Sequence, residues 1–222
     1  MKIGINLVGV SYNDGEGRYR NYEDAIDGFM SNVVKPLKED GHEIKFYIYS
    51  YDSIKRNDIL KAYEPVKKYH FTDPAYNTLG GGDRLPNGLK AISSNYINSL
   101  EQLKNEDLDL IISTRFDINF LKNPFKEYSF DFSKFNFLWR EPEFMHLPIV
   151  NDTFIVFPYS MLGNVIESII EMESIPPYGI NIAMHNWYLP MVKQVGENNV
   201  QWVCDEFVNA ISNDLYKLMR HE

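Results

Sequence analysis

Apolar residues recur along the chain at two spacings, one typical of buried strands and one typical of amphipathic helices. Residues 3–11 form a short apolar run that ends in a polar stretch, which predicts a buried parallel strand. In residues 22–37 the apolar positions follow the spacing of a helix that packs on one face. Alternation over residues 43–51 predicts a second strand. The chain therefore opens with a β-α-β unit, which favours a parallel strand pair with a right-handed crossover.

Strand and helix patterns continue to alternate through the rest of the chain. The glycine- and proline-containing segment 71–87 is predicted to be a loop. Neither an internal repeat nor a linker is evident, so we predict one α/β domain over residues 1–222, with a mostly parallel central sheet flanked by helices. Helices are predicted over residues 58–68, 89–103, 159–173 and 181–193, and strands over residues 108–113, 135–139, 153–157 and 200–204.

Composition and charge exclude several classes of protein. With 44% hydrophobic and 24% charged residues, the chain is neither disordered, collagen-like nor a coiled coil. The net charge of −9 disfavours binding to nucleic acid or to an anionic membrane. The single cysteine, Cys204, excludes an internal disulfide and a cysteine-built zinc site, and suits a reducing compartment.

The beginning of the chain does not read as a targeting segment. The apolar stretch that follows Met1 is interrupted by Asn6 and runs directly into a polar loop, unlike a signal peptide. No apolar run approaches the roughly 20 residues that cross a bilayer. We therefore expect a soluble, cytoplasmic protein without a transmembrane segment.

The strongest candidate for a site is the point where the predicted strand 108–113 runs into Arg115-Phe116-Asp117. Ligands of open α/β sheets bind outside the carboxyl ends of the strands. Asp117 could coordinate a divalent cation that bridges a diphosphate, and Arg115 could bind phosphate or hold Asp117 in place. The alternative is a surface ion pair at a strand end. In either case we expect the Asp117 carboxylate to be exposed, so that its removal costs little stability.

A second candidate is the loop after the first strand. Gly9, Val10 and Ser11 would let the backbone approach a ligand, and Arg18 and Arg20 would add positive charge against phosphates. The loop has neither a Gly-x-Gly-x-x-Gly turn nor a Walker lysine, which disfavours a Rossmann dehydrogenase and a kinase-type NTPase. A polar loop without a ligand remains the alternative.

Carboxylates in the second half of the chain could serve an acceptor. Asp152, which precedes an apolar strand, could be a general base, a metal ligand or an acceptor-binding group, or simply a turn residue. Glu141 and Glu143 lie in a polar loop that is either an acceptor platform or a solvated loop. Aromatic residues could stack on flat or ring-shaped groups of a ligand, the candidates being Tyr12, Tyr51, Trp139 and Phe154.

Three segments together resemble small bacterial and viral glycosyltransferase-like proteins. They are Ile-Asn-Leu-Val-Gly followed by Arg18 and Arg20, Leu-Asp-Leu-Ile-Ile-Ser-Thr-Arg-Phe-Asp, and Asn-Asp-Thr-Phe. The resemblance extends from Lys2 to about Lys193 and implies a glycosyltransferase A-type fold, with a nucleotide-binding half over about residues 1–118 and an acceptor-binding half over about residues 119–222. It also implies a nucleotide-diphosphate sugar donor, Mn²⁺ or Mg²⁺, and a glycan, glycoprotein or other hydroxyl acceptor.

The resemblance also assigns roles to individual residues. Arg115-Phe116-Asp117 stands where the family has its Asp-x-Asp metal motif, and Asp117 keeps the position that usually contacts the metal. The first carboxylate of the motif is missing, so Arg115 could supply positive charge in place of part of the metal site. The donor would also contact the loop that carries Gly9, Val10, Ser11, Arg18 and Arg20, while Asp152 would be the base, with Glu141 and Glu143 in reserve.

Two other functions stay open at this point. The chain could be a non-catalytic domain that binds nucleotide sugars or glycans. A sugar nucleotidyltransferase is a further alternative, but that class usually carries a glycine-rich loop followed by arginine and lysine directly after the first strand. Here the spacing is longer and no lysine follows.

Overall fold

A computed structural model describes residues 1–13, 19–72, 86–140, 150, 152–174, 184–204, 206, 208 and 213–219, and for residues 86–91, 173–174 and 184–185 it describes the backbone alone. The strands in these segments are β1 (Lys2–Gly9), β2 (Tyr12–Asn13), β3 (Arg20–Asn21), β4 (Glu43–Tyr51), β5 (Val66–Thr72), β6 (Leu110–Thr114), β7 (Ile118–Phe120), β8 (Phe135–Phe137), β9 (Phe154–Pro158), β10 (Val200–Trp202) and β11 (Tyr216–Leu218). The α-helices are α1 (Glu23–Phe29), α2 (Lys35–Glu39), α3 (Arg56–Ala62), α4 (Pro86–Glu101), α5 (Pro124–Glu127), α6 (Leu162–Ser174) and α7 (Tyr188–Val195).

The central sheet has seven strands in the order β10-β8-β9-β6-β1-β4-β5. Within it β9 is antiparallel to both of its neighbours, and the other neighbouring pairs are parallel. Ile5 of β1 lies in register with Phe46 on one side and Ile112 on the other, so the predicted β-α-β opening is confirmed. The predicted fold class, an α/β fold with a mostly parallel sheet flanked by helices, is confirmed as well.

Both faces of the sheet are covered, which explains why β1 is buried at every position from Ile3 to Val8. On one face, Phe29 and Val33 pack into a cluster with Phe46 and Ile112 of the sheet. Helices α4, α6 and α7 pack on the other face, where their buried residues include Leu100, Ile169 and Met191. None of the helices in the described segments is both long and apolar enough to cross a bilayer.

The predicted helix over residues 58–68 is wrong in its second half. Helix α3 ends at Ala62, and the chain then forms β5, which pairs with β4 at the edge of the sheet. Pro65 lacks the N–H that would continue the helix. The backbone N–H and C=O groups on the outer side of β4 also need partners, which β5 provides. Lys67 and Tyr69 are exposed, as befits an edge strand. The predicted loop 71–87 begins inside β5 and ends inside α4, while residues 73–85 lie outside the described residues.

A small antiparallel sheet, β7 with β11, was not predicted from the sequence. Helix α1 packs so closely on β7 that a Cβ added to Gly28 would lie 1.9 Å from Oδ1 of Asn119. One turn later, the Asn32 side chain donates a hydrogen bond of 2.8 Å to the carbonyl of Phe120. Because β7 begins directly after Asp117, this packing anchors the turn that carries the strongest candidate residues.

Candidate functional site

The candidate residues that the structure describes meet at one edge of the sheet. Strands β1 and β6 are parallel, so Gly9 and the turn from Arg115 to Asp117 lie at the same carboxyl edge. Strand β9 runs the other way and begins there, with Thr114 of β6 opposite Phe154. Asp152, which comes just before β9, therefore lies at the edge where ligands of open α/β sheets bind.

Asp117 is the centre of an arginine-carboxylate cluster. Its carboxylate accepts two hydrogen bonds from Arg115, from Nε to Oδ1 at 2.9 Å and from Nη2 to Oδ2 at 2.8 Å. The Nε of Arg20 lies 3.0 Å from the same Oδ2. Asp117 is only 2% exposed, so the expectation of an exposed strand-end carboxylate is wrong. Its charge is offset by two guanidinium groups instead of by water.

Arg20 reaches Asp117 from the loop after β1. Strand β3 pairs with β2 so that Arg20 lies opposite Asn13, which turns the chain back toward the sheet. The Arg20 side chain is buried, and its Nη1 donates to the carbonyl of Tyr19 at 2.7 Å. Arg20, which was predicted to contact a phosphate, thus forms an ion pair with Asp117 in this structure. Arg18 lies outside the described residues.

Hydrogen bonds to the Ser50 hydroxyl hold the first residues of the same loop in place. Gly9 has a φ of 109°, in the region that favours glycine. The Ser50 hydroxyl lies 2.8 Å from the Gly9 carbonyl and 2.7 Å from the Ser11 hydroxyl. Ser11 is fully buried, so its hydroxyl belongs to this internal network, whereas Val10 is partly exposed.

Only part of the Arg115 guanidinium is hydrogen-bonded to described residues. Its side chain is 27% exposed, and Nη1 makes no hydrogen bond in the described part of the chain. Burial lowers the pKa of Arg115, but the charges of Asp117 and Asp152 outweigh it, so the pKa lies above its ordinary value. Arg115 is therefore a permanent cation with one end fixed and the other end available to an anion.

Asp152 is the uncommitted carboxylate of the cluster, by which we mean that it pairs with no described residue. It is half-buried, and it has no hydrogen bond or ion pair with any described residue. Its charge acts on Arg115 and on the buried hydroxyl of Tyr96, whose pKa is raised by burial first and by Asp152 as well. A carboxylate that faces an arginine but remains unpaired is a suitable base for a ligand hydroxyl.

The C-terminal strand β11 ties the site together, and nothing in the sequence reasoning anticipated it. The Met219 N–H donates to the carbonyl of Asp117 at 2.7 Å. The hydroxyls of Tyr216 and Thr153 lie 2.7 Å apart, and the Thr114 hydroxyl donates to the Thr153 carbonyl at 2.9 Å. The sequence signal that could have indicated this strand is Asn213, whose side chain accepts hydrogen bonds from the N–H groups of Leu215 and Tyr216 where the strand begins.

The other predicted residues divide into buried, partly exposed and undescribed ones. Trp139 and Phe154 are fully buried, and Trp139 stacks on Tyr216, so neither can stack on a sugar ring as expected. The phenol of Tyr51 is largely buried and accepts a hydrogen bond from Asn95, whereas Tyr12 is partly exposed. Glu141 and Glu143, the reserve bases, lie outside the described residues.

The residues around Asp117 do not fit the divalent cation that the resemblance implies. Both carboxylate oxygens already accept from guanidinium groups, whereas Mg²⁺ requires roughly six oxygen ligands in octahedral geometry. Within the described segments, no group of three or more His, Cys, Asp or Glu residues is arranged to hold a metal ion. The positive charge that a cation would bring is already present on Arg20 and Arg115.

Comparisons with known proteins give limited guidance. No protein-family model matches the chain, and no curated protein matches it either. Among solved structures, a mutant of Drosophila β1,4-galactosyltransferase 7 in complex with manganese, UDP-Gal and xylobiose aligns with a TM-score of 0.48 and 11% identity, over 100% of this chain and 71% of that one. A likeness of this size carries no information about the chemistry of this chain.

Proposed function

We propose that this protein is a glycosyltransferase that moves a sugar from a nucleotide-diphosphate donor to a hydroxyl group of a glycan or another acceptor. One observation carries the proposal. A guanidinium that is fixed at one end and open at the other, on Arg115, lies near the uncommitted carboxylate of Asp152 at the carboxyl edge of a parallel sheet.

The two groups suit the two charges that glycosyl transfer develops. The departing diphosphate gains negative charge, which the open end of Arg115 stabilises by charge-assisted hydrogen bonds. The acceptor hydroxyl must lose its proton as it attacks, and Asp152 would take that proton. If Asp152 is this base, the hydroxyl attacks the sugar directly and inverts its anomeric configuration.

The position of the resembling segments supports the same function. One of the three segments ends with Arg115 and Asp117, and another contains Asp152. In the sequence, Asn151 comes 34 positions after Asp117. The antiparallel pairing of β6 with β9 brings the two segments to one edge. The apolar part of the third segment, Ile-Asn-Leu-Val-Gly, ends at Gly9, which is the last residue of the neighbouring strand β1. The donor nucleotide would occupy the space beside Gly9 and Val10, where the backbone can approach it.

Release of nucleoside diphosphate from a panel of UDP-, GDP- and dTDP-sugars tests the proposal. We expect slow release from at least one donor and faster release when a hydroxyl acceptor is added. Asp152→Asn should abolish the acceptor-dependent part, whereas Asp107→Asn, an exposed carboxylate near the opposite end of β6, should not. Donor binding without any release would favour the non-catalytic binding domain. Formation of a nucleotide sugar from a nucleoside triphosphate and a sugar phosphate would favour the nucleotidyltransferase.

A further inference from the structure

We infer that this site binds its donor diphosphate without a divalent cation, and that Asp117 is a positioning residue that orients Arg115 and Arg20. The inference rests on the proposed function, since it concerns the donor of that reaction. It departs from the Mn²⁺ or Mg²⁺ that the sequence resemblance implies, and it follows from how the carboxylate of Asp117 is used.

The carboxylate of Asp117 has little capacity left for a metal. Oδ1 accepts from Nε of Arg115, and Oδ2 lies within 3.0 Å of nitrogen atoms on both arginines. These contacts use three of the roughly four lone-pair positions of a carboxylate, so a cation that bound both oxygens of Asp117 would displace at least one guanidinium. Arg20 has a side chain only 8% exposed, so its guanidinium would then lose the carboxylate that compensates its buried charge.

Charge argues in the same direction. Two guanidinium groups surround the carboxylate of Asp117, and the second carboxylate, that of Asp152, acts on Arg115 without pairing with a described residue. A divalent cation added there would be repelled by both arginines, whereas a diphosphate would be attracted to them. The arginines therefore take over the electrostatic role that a metal ion has in other phosphate sites.

Asp117 also determines which part of Arg115 is presented. A bidentate ion pair fixes the plane of the guanidinium, because two parallel hydrogen bonds allow little rotation. Nε and Nη2 face Asp117, which leaves Nη1 as the end that can meet a phosphate oxygen. Asp117 thus acts through Arg115, and neither a metal contact nor a substrate contact is needed to explain its position.

Calorimetric titration with UDP, GDP and their sugars, in EDTA and then in Mn²⁺, tests the inference. We expect one nucleotide to bind in EDTA with an affinity that Mn²⁺ changes by no more than about twofold. In parallel, Mn²⁺ alone is added to the ligand-free protein, and we expect its free-ion EPR signal to keep full intensity. A requirement for Mn²⁺ of roughly tenfold or more in affinity, or loss of the EPR signal at one equivalent, would overturn the inference.

Variants distinguish a positioning role of Asp117 from a role in metal binding. Asp117→Asn should weaken nucleotide binding in EDTA by roughly tenfold or more, with no recovery in Mn²⁺, whereas the matched control Asp107→Asn should bind normally. A merely structural role would lower the melting temperature and leave affinity in the folded protein unchanged, which would overturn the positioning role. If Asp117→Asn does not fold, Arg115→Lys makes the same test, because lysine keeps the charge but loses the fork.

The possible failures are distinguishable. Binding that depends on Mn²⁺ and disappears in Asp117→Asn would overturn this inference and leave the glycosyltransferase proposal standing. Absence of nucleotide binding in both buffers, with a well-folded protein by thermal melting, would overturn the proposed function and this inference together.

Discussion

The guanidinium of Arg115 and the carboxylate of Asp117 form a bidentate ion pair, although only one residue separates them in the chain. The turn between β6 and β7 makes this possible, because it buries Phe116 edge-on against Tyr63 and directs both charged side chains to the same side. The pair is therefore part of the folded core as well as of the candidate site.

Removal of the Asp117 carboxylate should destabilise the protein. Asp117→Ala leaves Arg20 and Arg115 without the carboxylate that they share, and breaking a buried ion pair from one side costs about 3–5 kcal/mol. Urea unfolding at neutral pH measures this loss. Asp107→Asn, at an exposed carboxylate, should stay within about 0.5 kcal/mol of the natural protein. A loss below about 1 kcal/mol in Asp117→Ala would show that the cluster is solvated in solution.

Replacement of Arg115 should weaken donor binding more than it weakens the fold. Arg115→Gln removes the charge that the diphosphate would meet, and hydrogen bonds to charged groups contribute about 1.5–3 kcal/mol. Titration with nucleotide sugars measures the effect, and thermal melting checks the fold. For the more deeply buried Arg20, we expect Arg20→Gln to lower the melting temperature further than Arg115→Gln does. Unchanged donor affinity in both variants would place the diphosphate elsewhere.

Loss of the Asp152 carboxylate should slow the chemical step. Asp152→Asn is expected to lower kcat and kcat/KM together by about 10²–10⁴-fold, the usual contribution of a general base, and to leave donor binding intact. Steady-state kinetics with saturating donor measure the change. Normal turnover in this variant, with slow turnover in Glu141→Gln or Glu143→Gln, would transfer the role to that loop. If none of the three slows transfer, the enzyme uses no protein base and a retaining mechanism is favoured.

The hydrogen bond between Tyr216 and Thr153 should contribute to the stability of the C-terminal strand. Tyr216→Phe removes one hydroxyl of the buried 2.7 Å pair, and a net loss of about 1 kcal/mol is expected. A double-mutant cycle with Thr153→Val isolates the interaction from the other contacts of the two residues. Strict additivity of the two single changes would mean that this hydrogen bond does not link β11 to β9.

The stability of the protein should depend on Glu106 only above acidic pH. Lys68 lies 2.7 Å from one carboxylate oxygen of Glu106, and the Tyr47 hydroxyl donates to the other at 2.9 Å. Hydrogen bonding from Lys68 chiefly lowers the pKa of Glu106 below its ordinary value of 4.5. A lowered folded-state pKa stabilises the protein above the unfolded-state value, and this stabilisation is lost as the pH falls through the folded-state pKa.

Glu106→Gln measures that contribution directly. The variant should be less stable than the natural protein by about 1 kcal/mol at neutral pH. The difference should shrink as the pH falls below 4.5, because the natural side chain then becomes neutral as well. Unfolding in urea at several pH values provides the comparison, and a difference that does not change with pH would contradict the role of the charge.

Some features followed from local sequence alone. The predicted strand over residues 43–51 coincides with β4, and the helix predicted over residues 89–103 corresponds to α4 within three residues at each end. Local periodicity is sufficient for such elements, because a strand or helix that buries a face must repeat apolar residues at its own period. The placement of Arg115 and Asp117 after a buried strand followed from the same reasoning.

Other features were decided only by tertiary structure. The sequence did not show that β9 runs antiparallel, that β11 returns to β7, or that Asp117 is buried between two arginines, since each depends on contacts between distant segments. Whether a carboxylate binds a metal or an arginine depends on which groups the fold brings within about 3 Å of it, a distance at which charge-assisted hydrogen bonds form. The sequence by itself determined the α/β class, and only the packing of Arg20 and Arg115 around Asp117 decided which groups surround that carboxylate.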